Sequence, residues 1–206
     1  MKVGPRYKIC KRLGSSVFEK CQTQKFMLSE ERSAKVRTGQ GRRGRGLSDY
    51  GRRMLEKQKV RFMYGVTEGQ LSHYAKTARE RKGTQPNANF FQQLESRLDN
   101  AVYRMGFAST RRLARQLVVH GHITLNGRKT NIPSAQIKAG DTIAVRPNSR
   151  EKGVFASVAD RLKEHHVPAW FKVDPKELSG TVTAIPTLVE SDVPFDLSLV
   201  LELYSR

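Results

Sequence analysis

The chain has 206 residues, 37% of them hydrophobic, and a formal net charge of +19 with a sequence pI of about 10.4. Such a length holds one domain or two small ones around a modest core, and such a charge calls for a polyanion as partner. With no apolar run of about 18 residues and no basic amphipathic helix carrying bulky apolar anchors, the sequence excludes a membrane as that polyanion.

Residues 1–46 read as a basic arm without a core of its own. GQGRRGRG (39–46) is low in complexity, and such a stretch cannot bury enough surface to offset its ordering entropy. Its glycines would let the backbone lie against phosphates while Arg42, Arg43 and Arg45 make forked hydrogen bonds. The two cysteines, Cys10 and Cys21, are ten residues apart with no histidine before His73, which is not the four-ligand spacing of a structural zinc site. They read as buried or spare thiols. The N-terminus lacks the apolar core of a secretory signal, so a reducing cytoplasm is expected.

Ser48 is placed to cap a helix from Asp49 to about Arg61. It carries Arg52, Arg53, Lys57, Lys59 and Arg61, with Tyr50, Met54 and Leu55 as apolar contributors. Glu56 is the one acid among these bases after Asp49, so pairing within the helix cannot neutralise them. Thr67 and Gln70 form a capping box for a helix with Leu71, Tyr74, Ala75 and Ala78 on its apolar face, ended by Lys82-Gly83. Pro86-Asn87 opens another, with Phe90, Phe91, Leu94 and Leu98; at this spacing the aromatics suit a core better than base stacking.

The densest information lies in residues 97–146. Ser109 is placed to cap a helix from Thr110 to Val119, with Leu113, Ala114, Leu117 and Val118 turned inward, Arg111, Arg112 and Arg115 outward, and Gly121 as the stop. His120 and His122 flank that stop. Ile123 and Leu125 alternate with polar residues, and Asn126-Gly127 signals a type I′ hairpin from which Arg128 and Lys129 emerge. Ala139-Gly140-Asp141 makes another turn before Ile143-Ala144-Val145. Beyond it, Phe155–Ala159 begins a short helix that passes His165-His166, a pair suited to a surface or packing role. Trp170-Phe171 and the segment from Val189 to Tyr204 read as packing strands or loops.

Charge is unevenly placed: residues 1–62 hold 18 Lys+Arg against 5 Asp+Glu, and residues 148–206 hold 7 against 9. The last quarter is therefore expected to face protein or solvent. No P-loop, nucleophile elbow, HExxH or kinase signature occurs. Asp99, in the run RLDN, is expected to pair with an arginine such as Arg104 or to cap the domain. The chain reads as a non-enzyme with no cofactor and no metal.

The string RLDNAVYRMGFASTRRLARQLVVHGHITLNGRKTNIPSAQIKAGDTIAVR (97–146) resembles the RNA-binding domain of the small-subunit ribosomal protein four family, a domain shared with some pseudouridine synthases, tyrosyl-tRNA synthetases and heat-shock RNA-binding proteins. LSDYGRRMLEKQKVRFMYGV (47–66), the terminal LELYSR (201–206) and the total length resemble the bacterial-type ribosomal family itself. A stand-alone RNA-binding regulator would lack the basic arm and that helix. The resemblance implies an α+β fold: the basic arm (1–46), a helical lobe (47–93 with 157–206) and an inserted small RNA-binding domain (94–156) of two helices and a β-hairpin with a small sheet. It implies a structural constituent of the small subunit that binds the 5′ domain of its ribosomal RNA at a helical junction, early in assembly. It further implies a place near the path by which messenger RNA enters, against small-subunit protein five and with influence on accuracy. Protein three and messenger RNA are further candidate partners, and some members repress their own message. Tyr7 stands where some members carry the first of four zinc cysteines, and Thr38 and Gly41 stand where many carry a histidine turn. The residues expected on RNA are Arg42, Arg43 and Arg45; Arg52, Arg53, Lys57, Lys59 and Arg61; and Arg104, Arg111, Arg112, Arg115, His120, His122, Asn126, Arg128 and Lys129.

Overall fold

The computed structural model describes residues 3–39, 48–81, 83, 85–151, 153–188 and 193–205. The fold is α+β, and the chain divides into two compact units, Met1–Thr77 with Val189–Arg206, and Ala78–Leu188.

In the first unit, α1 (Arg6–Leu13) stops at Gly14, a single 3₁₀ turn follows at Glu19–Cys21, and α2 runs over Gln24–Gly39. Cys10, Leu13, Val17, Phe18, Cys21 and Phe26 are buried together and meet Leu55, Phe62 and Met63. The expectation of a coreless arm is thus corrected for residues 3–39: the glycines that deny a core are concentrated after Thr38, whereas the apolar residues before it recur closely enough to fold two helices onto one cluster. Both cysteines are fully buried thiols outside any disulfide, and that of Cys21 points at the Arg6 carbonyl, 3.8 Å away. Arg42, Arg43, Arg45 and Gly41 lie outside the described residues.

Helix α3 (Asp49–Tyr64) begins as its sequence predicts, with the Ser48 hydroxyl accepting from the Gly51 amide at 3.2 Å. Helix α4 (Glu68–Glu80) opens on a reciprocal capping box: the Thr67 amide donates to Gln70 and the Gln70 amide to Thr67. The C-terminal segment is a helix where strands or loops were expected. Asp196 accepts from the amides of Ser198 and Leu199, and Leu197, Val200 and Leu201 recur at helical spacing and are buried.

The second unit contains α5 (Pro86–Glu95), α6 (Leu98–Arg104), α7 (Arg111–Val119), β1 (Ile123–Leu125), β2 (Arg128–Lys129), β3 (Thr142–Val145), three short helices α8 (Pro147–Arg150), α9 (Gly153–Ala156) and α10 (Val158–Glu164), then β4 (Phe171–Asp174) and β5 (Ser179–Val182). Phe90, Phe91 and Leu94 are buried in packing. Asn126 and Gly127 take the positive φ values, 51° and 76°, of the predicted hairpin. The five strands form one antiparallel sheet in the order β2-β1-β3-β5-β4. Strand β5 pairs with β3 (Ile143 opposite Gly180), so residues 157–188 belong with this unit, and the expected boundary at residue 156 is corrected. The physical reason is the open edge of β3. Gly180 faces the core there, where a Cβ would come within 3.0 Å of the Met105 sulfur. His165 packs as expected: its Nε2 lies 2.9 Å from the Arg104 carbonyl and its ring meets Tyr103 edge-on.

Candidate nucleic-acid interface

The basic face of the second unit stands on a buried polar foundation. Arg97, wholly buried, donates from Nε and Nη2 to the two oxygens of Asp99 at 3.0 and 2.7 Å. Glu95, also buried, accepts two bonds from Arg104 at 2.9 Å each and one from the Asn100 amide group at 2.8 Å. Asn100 Oδ1 accepts from Arg111 Nε at 2.8 Å, and the Arg111 guanidinium lies 4.5 Å from the centre of the Tyr103 ring. Arg115 is 3.8 Å from Asp99. Charges this deep persist only when paired, so the run from Glu95 to Arg115 fixes α7 against α6. Asp99 therefore meets Arg97 and Arg115, not Arg104, and the forked donors of Arg104 belong to Glu95.

On this foundation α7 presents its outer side. Thr110, not Ser109, is the cap, accepting from the Leu113 amide at 3.1 Å, while Ala114, Leu117 and Val118 are buried. Arg112 is exposed with no partner among the described residues, and Arg111 and Arg115 are half-buried beside it. At the other end His120 is exposed. A side chain on Gly121 would run into Lys129, which places the Lys129 chain across the end of the helix. Arg128 and Lys129 are exposed on β2. Two of the residues expected on RNA also hold the unit together. The Asn126 amide group donates to Asp141 and accepts from the Thr142 amide, both at 2.8 Å, which closes the hairpin. His122 is half-buried, its Nδ1 3.0 Å from the Ser149 hydroxyl and its ring edge-on to Phe155.

In the first unit the basic stripe of α3 is largely paired. Lys59 meets Glu56 at 2.6 Å within the helix. Arg53 meets Glu202 at 3.0 Å, and Lys57 and Arg61 meet Glu68 at 2.8 and 3.7 Å. Within the helix Glu56 meets one base only among the described residues, as its sequence predicts, but α4 and α11 (Leu197–Leu203) bring carboxylates to Arg53, Lys57 and Arg61 from elsewhere in the chain. Lys57 is buried at 9% exposure, and the Tyr204 hydroxyl donates to Glu68 at 2.7 Å. Burial pushes the Glu68 carboxyl up, but hydrogen bonds from Lys57 and Tyr204 and the charges of Lys57 and Arg61 outweigh it and hold it below the ordinary value. Burial, then Glu68 itself, pushes the Tyr204 phenol well above its ordinary value. Arg52 remains exposed with no partner among the described residues. Glu68, Glu202 and Tyr204 carry no local signal that would have joined them to α3.

The model of the S4 domain matches residues 96–143, and that of the ribosomal protein S4/S9 N-terminal domain matches residues 2–95. The chain is 44% identical over 205 residues to the small ribosomal subunit protein uS4 of Roseiflexus sp., with 98% of each chain covered. The chain belongs to the uS4 family. It is 43% identical to uS4 of Chloroflexus aurantiacus, covering 99% of this chain and 98% of that one, and 42% identical to uS4 of a Geobacter species, covering 98% of each. The uS4 family is structural and non-enzymatic, and so is this member. Its S4 domain match ends at residue 143, within β3, whereas the sheet continues through β4 and β5. Among the described residues, no helix is long and apolar enough to cross a membrane, and no group of three His, Cys, Asp or Glu side chains could hold a metal ion.

Proposed function

We propose that this uS4 protein docks on the 5′ domain of small-subunit ribosomal RNA, at a helical junction, through the bases exposed around α7 and the β1–β2 hairpin. As a member of its family it is a structural constituent of the small ribosomal subunit and binds ribosomal RNA. The observation that carries the finer reading is that Arg112, His120, Arg128 and Lys129 are exposed with no carboxylate partner among the described residues. Arg111 and Arg115 border them, and Arg52 is the corresponding exposed base on α3. Arg42, Arg43 and Arg45 complete the proposed set. Affinity then comes chiefly from phosphate neutralisation, each contact adding roughly 0.7–0.9 to the salt slope, and selectivity comes from RNA shape at the junction.

The family resemblance supports early assembly, a place near the path by which messenger RNA enters, contact with small-subunit proteins five and three, an influence on accuracy and residence on cytoplasmic ribosomes. The excess of acids in residues 148–206 suits protein neighbours at that end. The test is sedimentation of lysate through a sucrose gradient at low and high salt, beside filter binding of the full chain to a 5′-domain transcript. Co-migration with the small subunit through a high-salt wash, and weaker binding by Arg112→Glu with Lys129→Glu, are expected. Migration among free proteins, or stripping by modest salt, would instead identify a regulator that borrows the domain.

A further inference from the structure

The five-stranded sheet of the second unit has one buried face and one bare face. Ile123, Ile143, Val145, Phe171, Gly180 and Val182 are all buried and, by the pairing register, all lie on the same side. On the other side the register lines up Lys129, Thr124, Ala144, Ser179 and Asp174 across all five strands, with Thr142, Thr181 and Lys172 in the next row. None of these eight residues is buried. Apart from Ala144 they are hydroxylic between the edges, where Lys129 stands on β2 and Lys172 and Asp174 stand on β4, strands about 19 Å apart at the usual inter-strand spacing. The acids on and beside the face are hydrogen-bonded by neighbouring amides. Asp141 accepts from the Lys138 amide and from Asn126, and Asp174 accepts from the amides of Lys176 and Glu177. Neither Lys129 nor Lys172 has a carboxylate partner among the described residues, and neither do the hydroxyls of Thr142, Ser179 and Thr181 have a hydrogen-bond partner there.

We propose that this bare sheet face is a second RNA-docking surface, adjoining the α7 face at Lys129, which takes the sugar–phosphate backbone of an A-form RNA helix. It rests on the RNA-binding reading above and extends it to β4 and β5, beyond the matched S4 domain. A flat, shallow protein surface fits the wide, shallow minor groove of A-form RNA, where 2′-hydroxyls are displayed. Thr142, Ser179 and Thr181 offer hydroxyls to those groups, and Lys129 and Lys172 offer charge to phosphates on either side. A protein partner would find little apolar area there, since large buried anchors dominate such interfaces and this face supplies none.

The experiment is filter binding of the full chain to a transcript of the 5′ domain across a salt series, comparing the parent with Lys172→Gln, with Thr142→Val plus Thr181→Val, and with Arg112→Glu. Valine keeps the shape and strand preference of threonine, and thermal unfolding verifies that each variant is folded. Lys172→Gln is expected to lower the salt slope by about 0.7–1 and to weaken binding. The double valine variant is expected to weaken binding with the slope unchanged, because it removes hydroxyls and no charge. Parent-like behaviour of both face variants beside a weakened Arg112→Glu overturns the second surface and leaves the α7 reading standing. Parent-like behaviour of Arg112→Glu alone rejects the α7 reading and upholds the sheet face. Face variants that bind naked RNA normally but enter small subunits poorly would assign the face to a neighbouring protein and overturn the proposal.

Discussion

Arg97 is the residue on which most of the second unit's polar order depends. It has no exposed surface and donates twice to Asp99, whose side chain is 6% exposed. Replacing it with Met leaves a buried carboxylate with Arg115 at 3.8 Å as its nearest other cation. The expected loss is about 3–5 kcal/mol, read by denaturant unfolding, because breaking one partner of a buried pair leaves the other uncompensated. A loss under about 1 kcal/mol would show that Asp99 finds water instead. Glu68 makes a second prediction at this scale. Its carboxyl is held below the ordinary value of 4.5, so the folded state binds its proton less readily than the unfolded chain. The stability this supplies is complete above about 4.5 and is lost as pH falls through that value toward the folded pKa. Denaturation from about pH 3 to 7 should therefore find a steeper acid limb in the parent than in Glu68→Gln. Identical limbs would remove Glu68 from the acid response.

Helix α7 shows how an element serves a face. Its cap, Thr110, fixes the first turn and precedes a run in which inward apolar and outward basic positions alternate at helical spacing. Thr110→Ala should cost about 1 kcal/mol, measured by chemical denaturation, as for other lost caps. RNA affinity should fall by no more than that loss of helix order accounts for, since Thr110 itself carries no charge. The same residue marks where a sequence reading is least secure. Ser109 and Thr110 are both competent caps, and only the backbone path decides which hydroxyl faces the amide of Leu113. At α11 the sequence is less telling still. The apolar, acid-bearing segment from Val189 to Tyr204 reads as packing strands or loops, yet the Asp196 cap and burial of Leu197, Val200 and Leu201 make Leu197–Leu203 a helix.

Across the whole molecule, charge is sorted into bases that hold the fold and bases that remain outward. Lys57 lies against Glu68 and the Tyr204 ring, whereas Arg112 has no such contact among the described residues. Lys57→Gln should therefore destabilise the first unit while leaving the salt slope of RNA binding unchanged, and Arg112→Glu should do the reverse, lowering the slope by about 1. Equal slopes for the two variants would dissolve the distinction between structural and RNA-facing bases. Net charge alone makes no such separation, since both residues count once toward +19.

The sequence by itself determined the fold class, the family and the local devices: the Ser48 cap, the Thr67–Gln70 box, the Asn126-Gly127 hairpin and the inward stripe of α7. Each of these is written within a few neighbouring residues, where spacing and side-chain chemistry suffice. The tertiary structure decided the rest. Cys10 and Cys21 became part of a core in a segment read as an arm, β5 found the edge of β3, Arg104 went to Glu95, and Glu68 and Glu202 reached the bases of α3. These outcomes depend on contacts between residues up to about 150 positions apart, here Arg53 with Glu202. No local pattern encodes such contacts, because their energy comes from burial and pairing that exist only once the chain has closed on itself.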